Sequence, residues 1–554
     1  MKPICLLPLL LASLSVIHAA EPAKPTTAKP NIIVILVDDM GFSDLGCFGG
    51  EIKTPNLDKL AATGMRFTEF YNMSRCCPSR AAILTGLYPH QTGVGLMQDN
   101  QGLPAYEGHL NDRCVTLAEV LKSAGYATAI CGKWHVGSYD FNPSPWTRGF
   151  DHGIASIQGG FYYAQQDKQG NPPLLKSIWL DGKELSNDSP ALPKDWYTTD
   201  VWTDYGIKYI NQAVAEKKPF FLYLAYNAPH FPLQAPPADI AKYRGKYMVG
   251  WDKLREQRYQ WQLAHGIIDP SWPLSPLPQS QPGIQNVVPW DSLTEQQKDR
   301  FDHIMAVYAA CVDHMDQGVG RLVGNLQQQG VLDNTLILFL SDNGGNLEGG
   351  PNGTTEKRKG ELGSADSTVF CGESWATLEN TPFRYYKHFE HEGGIATAFI
   401  AHWPNVIKAG GSISRERAQI IDLMATCVEV SGAKYPTEYN GHKILPLEGR
   451  SIVPAFTGGK LTSYPIFREH ENNAAVLEGD WKLVRVHGSP WELYNLAQDR
   501  TELHNLAAQE PARVNDLAAK WEAWAKRTGV LPKPGPRQKQ NVKQAASNVE
   551  PPDL

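Results

Sequence analysis

Four short apolar runs, each followed by polar residues, are the strongest constraint on the fold of this chain. Each run has five to seven residues, and β-branched, leucine and aromatic residues prevail in three of the four; such continuous runs are typical of strands buried on both faces. Helical patterns lie between them, for example at 116–122 and 301–327. Strands that alternate with helices predict an α/β fold around a large, mostly parallel sheet. The runs are 31–37, 127–131, 220–224 and 336–340.

Polar residues with charged or reactive side chains follow every one of these runs. Ligands of open α/β sheets bind beyond the carboxyl ends of the strands. We therefore expect the residues that follow the runs to lie in one site. They are Asp38 and Asp39, Lys133 and His135, His230, and Asp342 and Asn343.

Four of these residues predict a metal site. Asp38, Asp39, Asp342 and Asn343 all offer oxygen atoms, and three of them carry a negative charge. Hard oxygen ligands without histidine or cysteine select calcium or magnesium over zinc. The alternative is a structural role, since aspartate at a strand end often serves as a helix cap or turn residue.

The segment that begins at Cys76 predicts a reactive cysteine beside an anion site. Pro78 suits the first turn of a helix, and the N-terminus of a helix favours negative charge. Arg80 adds a permanent cation one turn away. The alternative is an ordinary buried or disulfide-bonded cysteine. The neighbouring Cys77 is interpreted as a packing residue.

The pattern Cys-x-Pro-Ser-Arg at residues 76–80, followed by Leu84-Thr85-Gly86, resembles the signature of the type I sulfatases. The resemblance covers about residues 29–530, and the segment 380–388 is similar to a bacterial arylsulfatase-like subgroup. It implies an alkaline-phosphatase-like α/β domain, since the family belongs to the alkaline phosphatase superfamily. A small C-terminal α+β subdomain with an antiparallel sheet is expected after it.

The resemblance implies a modified nucleophile and one calcium ion. A formylglycine-generating maturation enzyme would oxidise Cys76 to formylglycine (3-oxoalanine). One hydroxyl of its hydrate would attack sulfur, and the other would drive release of the sulfate. The calcium ion would be held by Asp38, Asp39, Asp342, Asn343 and the modified residue 76.

The resemblance also assigns roles to cationic residues. Lys133, His230 and Lys387 would surround the sulfate, with His230 and Lys387 facing the leaving oxygen as acids. Cations fixed around the sulfate stabilise the charge that moves during S–O cleavage. His135 would orient the hydroxyl groups of residue 76, and Arg80 would lower the pKa of the attacking hydroxyl. His470 is a further candidate, either for substrate contact or for a polar contact between domains.

Together these residues predict a calcium-dependent sulfatase that hydrolyses the sulfate ester of a sulfated carbohydrate or an aryl sulfate. Two alternatives stay open. One is a phosphate or phosphonate ester hydrolase of the same superfamily, and the other is a non-catalytic protein that binds sulfated glycans. The formal net charge of −6 gives no reason to expect nucleic-acid binding.

The chain is expected to be exported, to a periplasm or to the outside of the cell. Residues 1–20 read as a signal peptide, with Lys2 before an apolar stretch and Ala19-Ala20 as a cleavage site. No later segment has the length and hydropathy of a membrane span. The predicted order is a signal peptide (1–20), a linker (21–30), a catalytic domain (31–455), a C-terminal subdomain (456–531) and a disordered tail (532–554).

Overall fold

The computed structural model describes residues 29–159, 161–163, 178–185, 189–280, 283–353 and 361–533. The predicted signal peptide, most of the predicted linker and most of the predicted tail lie outside the described residues. Among the described helices, none combines the length and the hydropathy that crossing a membrane requires.

A large mixed sheet forms the centre of the fold, as predicted. The four apolar runs form the strands β1 (Asn31–Val37), β3 (Ala127–Lys133), β7 (Phe220–Ala225) and β8 (Thr335–Ser341), which lie side by side and parallel in the order β8-β1-β7-β3. Antiparallel pairs occur towards both edges of the sheet. The strands are β1 (Asn31–Val37), β2 (Met65–Tyr71), β3 (Ala127–Lys133), β4 (His152–Ser156), β5 (Ile178–Leu180), β6 (Lys183–Glu184), β7 (Phe220–Ala225), β8 (Thr335–Ser341), β9 (Ala396–His402), β10 (Ser412–Ser414) and β11 (Ala418–Gln419).

Helices cover both faces of this sheet. Successive side chains of a strand point to opposite faces, so Ile33 and Ile35 of β1 join one buried cluster while Ile32 and Val34 join the other. The α-helices of the described residues are α1 (Pro55–Thr63), α2 (Cys76–Thr85), α3 (Leu117–Ser123), α4 (Thr198–Ala215), α5 (Pro237–Ala241), α6 (Trp251–Ala264), α7 (Glu295–Gln328), α8 (Glu373–Glu379), α9 (Glu392–Ile395), α10 (Asp422–Ser431), α11 (Val453–Phe456) and α12 (Pro511–Thr528).

A second, fully antiparallel sheet lies near the C-terminus, which confirms the predicted fold class. Its strands pair in sequence order, and helix α12 contacts two of them. The boundary between the two domains at 455/456 stays a prediction. A short pair, β12 (Glu438–Tyr439) and β13 (His442–Lys443), precedes the strands of this sheet, which are β14 (Ile466–His470), β15 (Asn473–Glu478), β16 (Trp481–Arg485) and β17 (Glu492–Asn495).

Strands also form where the sequence patterns did not indicate any. Strand β4 falls in the segment 138–200, which is poor in strand signals, yet all of its residues pair with β3. Strand β14 includes Arg468 and Glu469, two charged residues that are buried with polar partners. The local composition of β4 and β14 does not favour a strand, and pairing with neighbouring strands stabilises the strand conformation there.

Candidate active site

The carboxyl ends of β1, β3, β7 and β8 meet at one edge of the sheet. The last residues of β1 and β8, Val37 and Ser341, are direct neighbours in the register. The backbone N–H of Asp342 donates to Val37 O at 3.1 Å, and that of Asp38 donates to Ala228 O at 3.0 Å. These bonds hold the polar residues after the strand ends close to one another, as the sequence predicts.

The four predicted oxygen ligands are buried together. Asn343 Nδ2 donates to Asp39 Oδ1 at 2.7 Å, and the N–H of Asp39 donates to Asp342 Oδ1 at 3.4 Å. Asp38 Oδ1 and Asn343 Oδ1 are buried, and neither has a hydrogen-bond partner within the described part of the chain. Buried oxygens without donors are costly, so this set of oxygens fits a hard cation.

Arg80 forms ion pairs with two of these carboxylates, Asp342 and Asp38. Its Nη2 and Nε lie 2.8 and 3.1 Å from Asp342 Oδ2, and Nη2 lies 3.3 Å from Asp38 Oδ2. Burial and the nearby Asp38 raise the pKa of Asp342 well above its ordinary value, although Arg80 opposes this. Burial also acts to raise the pKa of Asp38, but Lys133 and its other cationic neighbours hold that pKa below its ordinary value.

Cys76 is the first residue of α2, and its side chain is a buried free thiol. A hydrogen bond from Cys77 and the charge of Lys133 hold the pKa of the Cys76 thiol well below its ordinary value, although burial opposes this. Cys76, Cys77 and His135 place their ligand atoms within 4.8 Å of one another. Burial and Lys133 lower the pKa of His135 to about 4, so its imidazole is neutral at neutral pH. The site therefore favours the anionic form of the side chain at residue 76 and places a neutral imidazole beside it.

Lys133 and Lys387 bring two ammonium groups to the carboxylates. Lys133 Nζ lies 2.6 Å from Asp38 Oδ2, and Lys387 Nζ lies 2.9 Å from Asp39 Oδ1. Burial disfavours the charged form of both lysines, but the neighbouring carboxylates hold the pKa of each lysine above its ordinary value. Both lysines are therefore cations in this pocket.

His230 lies next to Asp39, as Lys387 does. Its Nδ1 donates to Phe231 O at 2.5 Å, which leaves Nε2 facing Asp39 Oδ2 at 3.5 Å. The predicted cluster of Cys76, Arg80, Lys133, His135, His230 and Lys387 is thus brought together around the predicted oxygen ligands. Their individual roles stay predictions.

Three further residues of the site were missed by the sequence reasoning. Asn346 Nδ2 donates to Asp39 Oδ2 at 2.7 Å. Glu348 lies between two cations, with Oε2 at 3.1 Å from Lys387 Nζ and Oε1 at 3.1 Å from Arg75 Nη1. Asn346 and Glu348 belong to the glycine-rich segment that follows Asn343, and Arg75 directly precedes Cys76. Their closeness in sequence to predicted residues was the available signal.

His470 lies at the edge of this site, in a group that we call the outer cluster: His388, His470 and Glu471. His388 follows Lys387 in the chain, and its Nδ1 lies 2.7 Å from Glu471 Oε2. The His470 side chain is fully buried, whereas that of Glu471 is 40% exposed. Glu471 is therefore the member of the outer cluster that a bound molecule could reach first.

Comparison with known proteins identifies the family. A family model described as Sulfatase matches residues 30–433. The chain belongs to the sulfatase family. A second model, described as N-sulphoglucosamine sulphohydrolase, C-terminal, matches residues 383–523 of this sulfatase.

Individual relatives agree with this assignment. The sulfatase is 34% identical to an arylsulfatase of Klebsiella aerogenes, over 80% of this chain and 95% of that one. It is 35% identical to an uncharacterized sulfatase of Schizosaccharomyces pombe, over 93% and 96% of the two chains. The solved structure of Ps i-CgsB in complex with k-i-k-neocarrahexaose is similar at 28% identity, with a TM-score of 0.65 over 90% of this chain and 93% of that one. These findings confirm a sulfuric ester hydrolase of the alkaline phosphatase superfamily.

Proposed function

We propose that this sulfatase is calcium-dependent and that its nucleophile is a formylglycine hydrate made from Cys76. One observation carries the proposal: Cys76 begins helix α2 inside the group of buried oxygen ligands and cations. Asp38, Asp39, Asp342 and Asn343 would hold the calcium ion together with residue 76. Asp38 Oδ1 and Asn343 Oδ1, which have no hydrogen-bond partner among the described residues, support that ligand set.

The bound groups would supply a reactive hydroxyl at residue 76 and positive charge next to the sulfate. The protein supplies the rest. Lys133 is fixed by Asp38 and contributes charge beside residue 76. His135 is neutral and can therefore accept a proton from a hydroxyl at that position.

His230 and Lys387 would act as acids that donate a proton to the leaving oxygen. Both lie next to Asp39, and Lys387 carries its full set of protons at neutral pH. A proton donated to the leaving oxygen stabilises the alcohol as the S–O bond breaks. Arg80 holds the carboxylates in place and would lower the pKa of the attacking hydroxyl.

The substrate would be a sulfate ester of a carbohydrate or of an aryl alcohol. A carbohydrate is supported by the similarity to Ps i-CgsB, which was solved in complex with k-i-k-neocarrahexaose. An aryl sulfate is supported by the similarity to the Klebsiella aerogenes arylsulfatase. Export to a periplasm or to the outside of the cell, and a formylglycine-generating maturation enzyme as partner, complete the proposal.

Mass spectrometry of the peptide that contains residue 76 tests the nucleophile. In a host with the maturation enzyme, the peptide should show an aldehyde in place of the thiol. Cys76→Ala should abolish turnover of an aryl sulfate, because no hydroxyl can form there. The matched control is Cys427→Ala, which removes a buried thiol of α10. Full activity of the Cys76→Ala variant would disprove the assignment.

The phosphate or phosphonate alternative is tested with matched esters. We expect kcat/KM for an aryl sulfate to exceed that for the corresponding aryl phosphate and aryl phosphonate. A preference for either phosphorus ester would replace the sulfatase proposal with the alternative. Absence of turnover on every ester by protein with confirmed formylglycine would instead favour the binding protein.

A further inference from the structure

The outer cluster lies beside the proposed catalytic pocket but has no part in the proposed reaction. His388 Nδ1 is 2.7 Å from Glu471 Oε2, and His470 Nε2 is 3.7 Å from Glu471 Oε1. One carboxylate thus faces two imidazoles, one with each oxygen. The three ligand atoms lie within 4.8 Å of one another.

His470 is unusual because both of its ring nitrogens lack a hydrogen-bond partner within the described part of the chain. The side chain is fully buried. A buried imidazole without hydrogen bonds loses those that water would give it, and such groups are rare in folded proteins. Glu471 Oε1, 3.7 Å from Nε2, lies beyond hydrogen-bond distance. An ion bound between His470 Nε2 and Glu471 would relieve the penalty at that nitrogen.

The backbone of His388 is held in an uncommon conformation, with a φ of 80° in the left-handed region that non-glycine residues seldom adopt. Glu471 and Asn472, with φ angles of 49° and 69°, form the two-residue turn of the β14–β15 hairpin, for which positive φ is ordinary. The N–H of His388 donates to Ser74 O at 2.9 Å, and Asn473 Nδ2 donates to His388 O at 2.8 Å. Strained residues that the surrounding structure fixes are concentrated at functional sites.

We propose that His388, His470 and Glu471 form a binding site for a divalent transition-metal ion of the Zn²⁺ type. Two imidazoles and one carboxylate suit such an ion, whereas calcium prefers an all-oxygen site. Zinc–ligand distances of about 2.0–2.2 Å place two ligands of one ion about 3.4 Å apart. His470 Nε2 and Glu471 Oε1, 3.7 Å apart, are within about 0.3 Å of this spacing, whereas the 2.7 Å contact between His388 Nδ1 and Glu471 Oε2 has to lengthen when the ion binds. Glu471, which is 40% exposed, gives the ion access from solvent.

Arg75 and Glu348 both lie against His388. Its Nε2 is 3.4 Å from Glu348 Oε1, but Arg75 Nη1 is closer to that nitrogen and donates to it, so Arg75 must move away before a His388 bound to the ion through Nδ1 can donate its other N–H to Glu348. Carboxylate–histidine–metal arrangements of this kind orient the ligand and raise its basicity. Arg75 contacts the same ring and opposes a cation by its charge, but Glu348 pairs with Arg75 as well.

Isothermal titration calorimetry with Zn²⁺ tests the site in the full-length protein. The experiment uses the Cys76→Ser background, because Cys76, Cys77 and His135 offer zinc a competing set of ligands. Saturating Ca²⁺ keeps the Asp38–Asp39 site from taking up zinc. We expect one equivalent of Zn²⁺ to bind, with at least about tenfold weaker affinity in Glu471→Gln and His388→Ala.

Glu471→Gln is the decisive variant because its side chain is partly exposed and the change preserves its shape. His442→Ala is the matched control, since His442 is an exposed histidine 3.8 Å from Asp112 Oδ2 and should leave zinc affinity unchanged. Absence of zinc binding, or equal affinity in Glu471→Gln and the parent, would overturn the proposal. The readout does not depend on turnover, so it is independent of the proposed sulfatase mechanism.

Discussion

Lys482→Met should destabilise the sulfatase, because it removes an ammonium group that two buried carboxylates share. Lys482 Nζ lies 2.9 Å from Glu392 Oε1 and 2.8 Å from Glu502 Oε1. Arg500 Nε completes the group at 2.7 Å from Glu392 Oε2. All four side chains are at most 1% exposed. Without Lys482, Glu392 would keep Arg500, whereas Glu502 would lose the ammonium group that pairs with it.

Two lines of reasoning give the size of the expected loss. Burial alone would raise the pKa of Glu392, but Lys482 and Arg500 lower it from 4.5 to about 2. A change of that size corresponds to about 3 kcal/mol of stabilisation of the ionised form by its whole surroundings, in which Lys482 is the largest favourable contributor. Breaking a buried ion pair by removing one partner costs about 3–5 kcal/mol. We therefore expect Lys482→Met to lower the free energy of unfolding by about 3 kcal/mol.

Urea unfolding and differential scanning calorimetry, both in saturating Ca²⁺, measure this loss. Unfolding entropies of about 2.1 cal/mol/K per residue give about 1 kcal/mol/K for a chain of this length, so Tm should fall by about 3 °C. The matched control is Lys520→Met, because Lys520 also contacts two carboxylates, those of Glu478 and Asp516, but is 39% exposed. Exposed pairs contribute about 0–1 kcal/mol.

The double variant Lys482→Met/Glu502→Gln tests the physical reason. It removes one positive and one negative charge and keeps an acceptor for the N–H of Glu392, which donates to Glu502 Oε2 at 2.8 Å. We expect it to recover at least about 1 kcal/mol relative to Lys482→Met alone. A loss below about 1 kcal/mol for Lys482→Met, or no recovery in the double variant, would refute the reasoning.

Metal binding, strand packing and pH dependence each give a further expectation. Asp342→Asn should weaken calcium binding by at least about tenfold in calorimetry, because the site loses a charged ligand; unchanged affinity would exclude Asp342 as a ligand. Gly132→Ala should lower both Tm and kcat/KM, because a Cβ at φ 119° would overlap Ala225 O, next to Lys133; retention of both values would contradict the close approach of β3 and β7. Hydrogen bonds to Asp200 and Asp239 raise the pKa of His314, although burial acts to lower it. The contribution of His314 to stability is therefore complete below about pH 6.5 and is lost as the pH rises through the raised pKa. The Tm difference between the parent and His314→Gln should be larger at low than at high pH, and a pH-independent difference would disprove this linkage.

The fold class could be predicted because the apolar runs are long enough to identify strands without knowledge of their partners. Strands β1, β3, β7 and β8 are buried on both faces, and their composition alone reflects this. Strand β14 could not be found in this way. Its charged residue Arg468 is buried only because Asn72 O and Gln419 Oε1 accept its hydrogen bonds, and both partners are distant in sequence.

The residues of the candidate site likewise divide into those that a local sequence pattern predicts and those that it does not. Asp38, Lys133 and Asp342 lie at strand ends. The rule that ligands of α/β sheets bind beyond the carboxyl ends of the strands therefore predicts that they share one site, without reference to any family. Cys76 and Lys387 lie on a helix and a loop, and their assignment needed the motifs of the resemblance. Asn346 and Glu348 were not predicted, because contacts between loops depend on packing that no local pattern records.

The chain segments that build the site have a consequence for how such a protein can diversify. The group around residue 76 comes entirely from segments before α10, whereas Glu471 and His470 stand where β14 turns into β15. Substitutions or insertions in that turn can alter what approaches the site during evolution while the sulfate-cleaving group remains untouched. Descendants of one ancestor could thus acquire different preferences through changes in a few C-terminal residues, with the chemistry inherited intact.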